Sequence, residues 1–229
     1  MERELNLLAF DTSTERMSVA LVHSGRLWRH NGPGAAQASA QLIPVIQRLM
    51  TEAGLTWTEL QAIAFGRGPG SFTGLRTACS VAQGLAFGAD LPVLAIDTLL
   101  ALAEDARERH GCAHVVAALD ARMEQIYQAR YEYAAGCWSQ RQAPSLVNPE
   151  QIVVPADAVL AGNTWAIYGE RLPAGVRHVE AWPEAAAMLR LAPAMLAAGQ
   201  AVPAEQALPL YVRDKVAQTT AERAKHPKQ

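Results

Sequence analysis

Gly66, Gly68 and Gly70, with Gly74 beyond them, stand between the apolar run 62–65 and a helix start, a pattern that suits an anion. Without Cβ atoms their backbone N–H groups stay open, and the following helix would aim its first free N–H groups into the same space. Phosphate is the natural ligand of such a cradle. The nucleotide fingerprints are nevertheless absent: no Gly-Lys-Ser/Thr follows, and the third glycine of the dinucleotide pattern falls on Ser71 or Thr73. A tight strand-to-helix connection that needs glycine only for packing uses the same residues. Asp11-Thr12-Ser13, ending the apolar run 5–10, is the second candidate. Its carboxylate would hold Mg²⁺ through water and its hydroxyls would touch phosphate; a plain Asx or Ser/Thr turn is the other reading.

Other reactive groups assemble into less. His110 and His114 are four apart with Cys112 between, but Gly111 ends the helix that would align them, and no carboxylate completes a metal set. No Ser or Cys is flanked by the glycines of a nucleophile elbow, so no hydrolytic triad emerges. Asp120, Arg122 and Glu124 form a charged turn that reads either as a functional rim or as a solvated hairpin with internal ion pairs. Trp28, Trp57, Trp138, Trp165 and Trp182 are scattered without interleaved bases, unlike a base-stacking platform.

The elements that position these residues follow from the apolar pattern. Residues 5–10, 17–22 and 26–30 read as an antiparallel meander broken by Gly32-Pro33-Gly34. Leu42, Val45, Ile46, Leu49 and Met50 mark an amphipathic helix over 40–53, closed by Gly54 and interrupted by Pro44. A strand at 61–65 feeds the glycine loop. The helix over 73–88 that follows is made of small residues, including Gly74, Ala78, Cys79, Ala82, Gly84 and Ala86, and its glycines need close packing to offset about 1 kcal/mol each. It reads as an interface or deep-core helix. A strand at 92–96 leads through Asp97-Thr98 into a helix ending near Arg109. The plan then restarts with strands at 115–119 and 125–133, which predicts two lobes, 1–110 and 111–229. A helix over 183–198, interrupted by Pro193, lies in the second.

Composition bounds the rest. With 229 residues, 50% of them hydrophobic, the chain has a substantial core, and 20 basic against 22 acidic side chains give no field toward nucleic acid or anionic membrane. The one basic cluster is Arg213, Lys215, Arg223, Lys225 and Lys228, set against Asp214 and Glu222, in a terminus that reads as solvated. Three cysteines without Cys-x-x-Cys spacing fit a reducing, cytoplasmic setting. The acidic start is unlike a secretory signal, and no apolar run nears the ~20 residues of a membrane span.

Leu7-Leu8-Ala9-Phe10-Asp11-Thr12-Ser13, the loop and helix from Gly66 to Arg76 with Ala82-Gln83-Gly84-Leu85-Ala86, Leu119-Asp120-Ala121-Arg122-Met123, and Pro209-Leu210-Tyr211-Val212-Arg213 together resemble the TsaB (YeaZ) family. The resemblance runs over essentially the whole chain. It implies an α/β, two-lobed ASKHA fold of the actin, Hsp70 and sugar-kinase type, with mixed sheets and crossover helices. It also implies an accessory role in threonylcarbamoyladenosine synthesis on tRNA. The chain would be a non-catalytic scaffold for the catalytic paralogue TsaD, with the ATPase TsaE joining and TsaC supplying the activated group for adenosine 37 of tRNAs reading ANN codons. Alone it would form a homodimer; tRNA would be reached only through the complex.

The paralogue's two metal-ligand positions fall on Thr98 and Leu102, which implies no metal, and the resemblance implies no cofactor unless nucleotide lodges at the junction of subunits. Asp11, Thr12, Ser13, Gly68, Gly70 and Gly74 would then be a vestigial phosphate site. Relatives often carry a histidine before the serine that opens the first helix; here Ala38 precedes Ser39, so that residue's role does not transfer. The family's pairing helices fall at 40–53 and 73–88. Leu42, Val45, Ile46, Leu49, Ala78, Cys79, Ala82 and Ala86 would form an apolar seam with Arg76 and Gln83 as polar contacts, unless these are the sheet-facing sides of two crossover helices. Two other functions stay open: an ATPase or small-molecule kinase using Asp11 and the glycine loop, and, with less in its favour, a peptidase acting on the paralogue.

Overall fold

The first apolar runs form β1 (Leu7–Asp11), β2 (Arg16–His23) and β3 (Arg26–Pro33), an antiparallel meander. The computed structural model describes residues 5–34 and 37–213. The basic residues of the terminus beyond Arg213 lie outside the described residues. Gly32-Pro33 does not break the chain: Met17 pairs Gly32 and Arg16 pairs Pro33. β3 is the sheet edge, where a proline's missing N–H leaves no ladder bond unmade.

Crossovers through α1 (Ala38–Ala53) and α2 (Phe72–Ala89) add β4 (Ala62–Gly68) and β5 (Val93–Asp97) in parallel, giving the order β3-β2-β1-β4-β5. Gly54, at φ 66°, closes α1, and Pro44 sits on its exposed side. Ser71 caps α2 by accepting a bond from the Gly74 N–H at 3.3 Å. After α3 (Thr98–His110) the plan repeats. β6 (His114–Asp120), β7 (Ile126–Ala134) and β8 (Cys137–Val147) are antiparallel, and β9 (Val159–Gly162) and β10 (His178–Val179) add in parallel on the other side of β6. The second sheet therefore runs β8-β7-β6-β9-β10, the same order as the first.

The period of two along β1 divides the first core. Leu8 and Phe10 pack with α1 and α2, whereas Leu7 and Ala9 pack with α5 (Ala185–Ala197). This changes the expected lobe boundary. α5 returns to β1, β2 and β4, and Val202 bridges to Val93, so the first lobe takes its last layer from the end of the chain. A division at 110/111 holds only up to the approach to α5. The second sheet buries Val115, Ala117 and Leu119 with α3, and Val116 and Ala118 with Ile152 and Leu172 on its other side. No helix among the described residues is long and apolar enough to cross a membrane.

Candidate functional site

The end of β1 and the loop after β4 meet, and each fills the other. Asp11 is 1% exposed. Its Oδ1 accepts the Ser13 backbone N–H at 2.8 Å and the Ser13 hydroxyl at 2.6 Å, and its Oδ2 accepts the Thr98 hydroxyl at 3.4 Å. The Thr98 oxygen accepts the Gly68 N–H at 3.1 Å, the Thr12 hydroxyl donates to the Gly74 carbonyl at 2.7 Å, and the Ser71 N–H donates to the Ser13 carbonyl at 2.7 Å. A Cβ at Gly74 would overlap the Thr12 carbonyl oxygen, and one at Gly66 would overlap the Asp11 carboxylate. Gly74 admits another stretch of backbone and Gly66 a buried carboxylate, so close packing accounts for them. Asp11, Thr12, Ser13, Gly68, Gly70 and Gly74 do come together as expected; their polar groups face one another. Burial lifts the Asp11 pKa from 3.8 to about 6 against the lowering effect of the Ser13 and Thr98 bonds, with the Glu184 charge adding to the rise.

A segment without regular structure, residues 207–213, lies along α2. The Ala207 carbonyl accepts from the Cys79 thiol at 3.3 Å and the Gln83 amide at 2.9 Å. Arg76 Nε donates to the Tyr211 hydroxyl at 3.3 Å, Tyr211 stacks on Phe72 at 4.5 Å, and Leu210 N–H donates to the Arg67 carbonyl at 2.7 Å. Gly68 adopts φ 121° beneath the Leu210 carbonyl. The segment ends with Arg213 donating to the Gln125 side chain at 2.9 Å and the Arg122 carbonyl at 3.3 Å, in the second lobe.

The seam predicted for a partner is corrected by these contacts. Leu42, Val45, Ile46, Leu49, Ala78, Cys79, Ala82 and Ala86 are all buried in the first core, none more than 8% exposed, because they are the sheet-facing sides of α1 and α2. Arg76, Cys79 and Gln83 bond to the chain's own C-terminal segment. The outward side carries other residues: Ile43 at 42% and Phe87 at 82% exposure, with Ser80, Gly84 and Gly88 open to solvent.

Between the lobes, Ser13, Ser71, Asp120, Arg122, Tyr127 and Arg213 border a cleft of about 310 Å³. Arg122, Met123 and Glu124 take φ of 60°, 53° and 58°, three successive left-handed residues at roughly 1 kcal/mol or more each. Asp120 and Arg213 hold them there. Asp120 Oδ1 accepts the Arg122 N–H at 2.9 Å and the Tyr168 hydroxyl at 2.7 Å, and its Oδ2 pairs with Arg122 at 3.2 Å. Burial, then the bond to Asp120, push the Tyr168 hydroxyl far up. Asp97, expected to cap α3, pairs with Arg67 at 2.5 Å instead.

His110 and His114 part company: His110 Nε2 lies 3.2 Å from the Glu180 carbonyl and His114 Nδ1 2.5 Å from Asp157. Among the described residues no three His, Cys, Asp or Glu side chains are grouped to hold a metal. Thr98 and Leu102 are both fully buried. In sequence the run 209–213 carries a family resemblance but nothing of its contacts, and the buried Glu104 of α3 does not stand out, because neither shows periodic apolar spacing or a motif with its own chemistry.

Comparison with known proteins agrees over nearly the full chain. The family model for TsaD, tRNA N6-adenosine threonylcarbamoyltransferase, matches residues 34–221. The tRNA threonylcarbamoyladenosine biosynthesis protein TsaB of Escherichia coli is 35% identical over 93% of this chain and 96% of its own, and that of Haemophilus influenzae 36% over the same shares. YeaZ from Pseudomonas aeruginosa superposes with a TM-score of 0.85 at 42% identity, covering 90% of this chain and 99% of its own. The chain belongs to the TsaB (YeaZ) family. Its two mixed sheets are those of the ASKHA-like fold of TsaB proteins. A second Pseudomonas aeruginosa structure, at TM-score 0.84 and 42% identity over 91% of this chain and all of its own, is described as similar to peptidase YEAZ. In the present TsaB family member Ser24 meets its neighbour His23 at 3.5 Å in an exposed hairpin turn.

Proposed function

We propose that this chain is an accessory subunit in tRNA threonylcarbamoyladenosine biosynthesis, one that performs no chemistry and pairs with a catalytic paralogue of the TsaD type. One observation supports the reading: the turn at Asp11-Thr12-Ser13 packs into the glycine loop, with Thr12 and Ser13 bonded to Gly74 and Ser71 and the Gly68 N–H taken by Thr98, so these loop groups are already engaged. A kinase or ATPase needs a carboxylate facing the nucleotide and its Mg²⁺. Asp11 is instead sealed among Ser13, Thr98 and Gly66. Leu102, at the position of a metal ligand in the paralogue, has no donor atom.

The pairing surface in this reading is the outward side of α1 and α2. Phe87 and Ile43 supply apolar anchors, and Ser80, Gly84 and Gly88 let a facing helix approach closely. The same side serves a homodimer when the chain is alone, and the TsaE-type ATPase joins the assembled pair. Nucleotide, where it binds, belongs to the junction of subunits, and tRNA is reached through the complex, in the cytoplasm.

Two measurements test this. Threonylcarbamoylation of tRNA is reconstituted from the TsaC-, TsaD- and TsaE-type proteins with and without this chain, and the chain alone is titrated with ATP and Mg²⁺. Modification that depends on the chain, with no ATP turnover by the chain alone, is the expected result. Micromolar binding with turnover by the single chain, or full modification in its absence, overturns the proposal.

A further inference from the structure

A pocket of about 320 Å³ opens between α3, α5 and the β7–β8 hairpin, away from the cleft and from the outward side of α1 and α2. Its most buried polar group is Glu104, with a side chain 3% exposed. Glu104 accepts two bonds from Arg107, at 2.8 and 2.9 Å, one from Trp138 Nε1 at 2.9 Å and one from Arg190 Nε at 2.8 Å. Burial alone would raise its pKa; the bonds from Arg107, Trp138 and Arg190 outweigh burial and hold the carboxyl below its ordinary range. Glu104 is therefore ionised and saturated.

The cations around it are not saturated. Arg107 and Arg190 are set against Glu104 in the lining and Glu108 beside it, two cations to two anions, so what remains open is hydrogen-bonding capacity rather than charge. Among the described residues no hydrogen bond uses either terminal nitrogen of Arg190, and one terminal nitrogen of Arg107 is equally unengaged. Glu108, half-exposed, ion-pairs with Arg107 at 3.8 Å and with Arg190 at 3.9 Å, and Arg107 also lies over the Tyr133 ring at 4.4 Å, so the open fork is that of Arg190. The remaining walls are mostly apolar, with Leu191, Ala194 and Met195 of α5 and Trp138 of β8, while Tyr133 and Gln200 add polar groups.

We propose that this pocket binds a small carboxylic acid with a planar apolar body. The carboxylate takes the paired terminal nitrogens of Arg190, the fork geometry that suits it, and the body lies between Trp138 and the α5 wall. The volume sits at the small end of the range for ligand pockets, roughly 300–1,000 Å³. α5 packs on the first sheet and Trp138 belongs to the second, so an occupant touches both lobes and favours the arrangement they have here.

Cys137 lies on the rim and is exposed, whereas Cys79 and Cys112 are buried, so a thiol reagent reads the pocket mouth directly. The full chain is titrated calorimetrically with indole-3-acetate, with indole-3-acetamide as the uncharged control, and Cys137 alkylation is followed in parallel. The acid is expected to bind about tenfold or more tightly than the amide and to slow alkylation, the contribution of one charge-assisted contact. Arg190→Gln should remove the preference for the acid. Ala194→Trp fills the cavity from an exposed position without touching the Glu104 cluster, and should abolish binding of both compounds while the circular dichroism is unchanged. Equal binding of acid and amide, binding that survives Ala194→Trp, or no protection of Cys137 at millimolar acid overturns the proposal.

Discussion

Asp11→Asn tests the self-filled loop through its pH dependence. The folded chain holds the Asp11 proton up to about pH 6, whereas the unfolded chain releases it near the ordinary value of 3.8. The folded state therefore binds more protons between those values. The stabilisation is complete below pH 3.8 and is lost as pH rises through 6. A shift of this size corresponds to about 3 kcal/mol in full, of which about 2.5 falls between pH 4 and pH 8 and about 1.4 between pH 5 and pH 8. Asparagine keeps an acceptor for the Ser13 N–H and hydroxyl and offers an amide to the Thr98 oxygen, without a charge to bury. Urea unfolding of both proteins at half-unit steps from pH 4 to pH 8 isolates this group, since other titrations cancel in the difference. The wild type should lose stability relative to the variant by about 2.5 kcal/mol across that range. Parallel curves would refute the argument, because they would mean that Asp11 is neither sealed from water nor costly to ionise.

The glycines divide by what their missing Cβ would meet. Gly74→Ala overlaps the Thr12 carbonyl and should destabilise by about 3 kcal/mol, although helix propensity alone favours alanine; Gly84→Ala meets nothing within 4 Å and should stabilise by about 0.5–1 kcal/mol, both read by denaturant midpoint. Ala82→Arg puts a charge into the first core and should prevent folding, whereas Gly84→Arg should leave the monomer folded and abolish self-association in analytical ultracentrifugation. Arg213→Ala removes the bonds that hold the left-handed turn at residues 122–124, and trypsin should then cut after Arg122 faster while global stability falls by about 1 kcal/mol.

The two-sheet plan was legible because each central strand is a short apolar run closed by a polar turn, and because the run, turn and strand recur after Gly111. Edge strands were harder. β8 reads Ser139-Gln140-Arg141-Gln142 in its middle, since it pairs on one side alone and shows much of its surface to water. β3 passes through Gly32-Pro33 for the same reason. The apolar stripes of α1 and α2 were found residue by residue, but helical spacing shows only that a face is covered, and the cover proved to be the first sheet. Nothing in chain order says that α5 returns to the first lobe. Residues 207–213 pin α2 with a backbone carbonyl, a backbone N–H and one ring, and those contacts leave no period in the sequence.

The filled loop also bears on how the proposed scaffold would treat phosphate, given glycines of the kind a phosphate loop uses. An entering phosphate must displace the Ser13 carbonyl from the Ser71 N–H and free the Gly68 N–H from Thr98. Each buried group so orphaned costs about 1–3 kcal/mol, and the Asp11 carboxylate repels the newcomer from 1% exposure. The turn cannot simply be vacated, because the Thr12 hydroxyl bonds the Gly74 carbonyl in the first turn of α2 and the Ser71 cap hangs from Ser13. Opening the cradle would loosen the seat of the helix whose outward side is proposed to meet the partner. On this reasoning glycine is retained at position 74 to seat α2, and an alanine there should weaken partner pairing through the helix position even in a chain that never touches nucleotide.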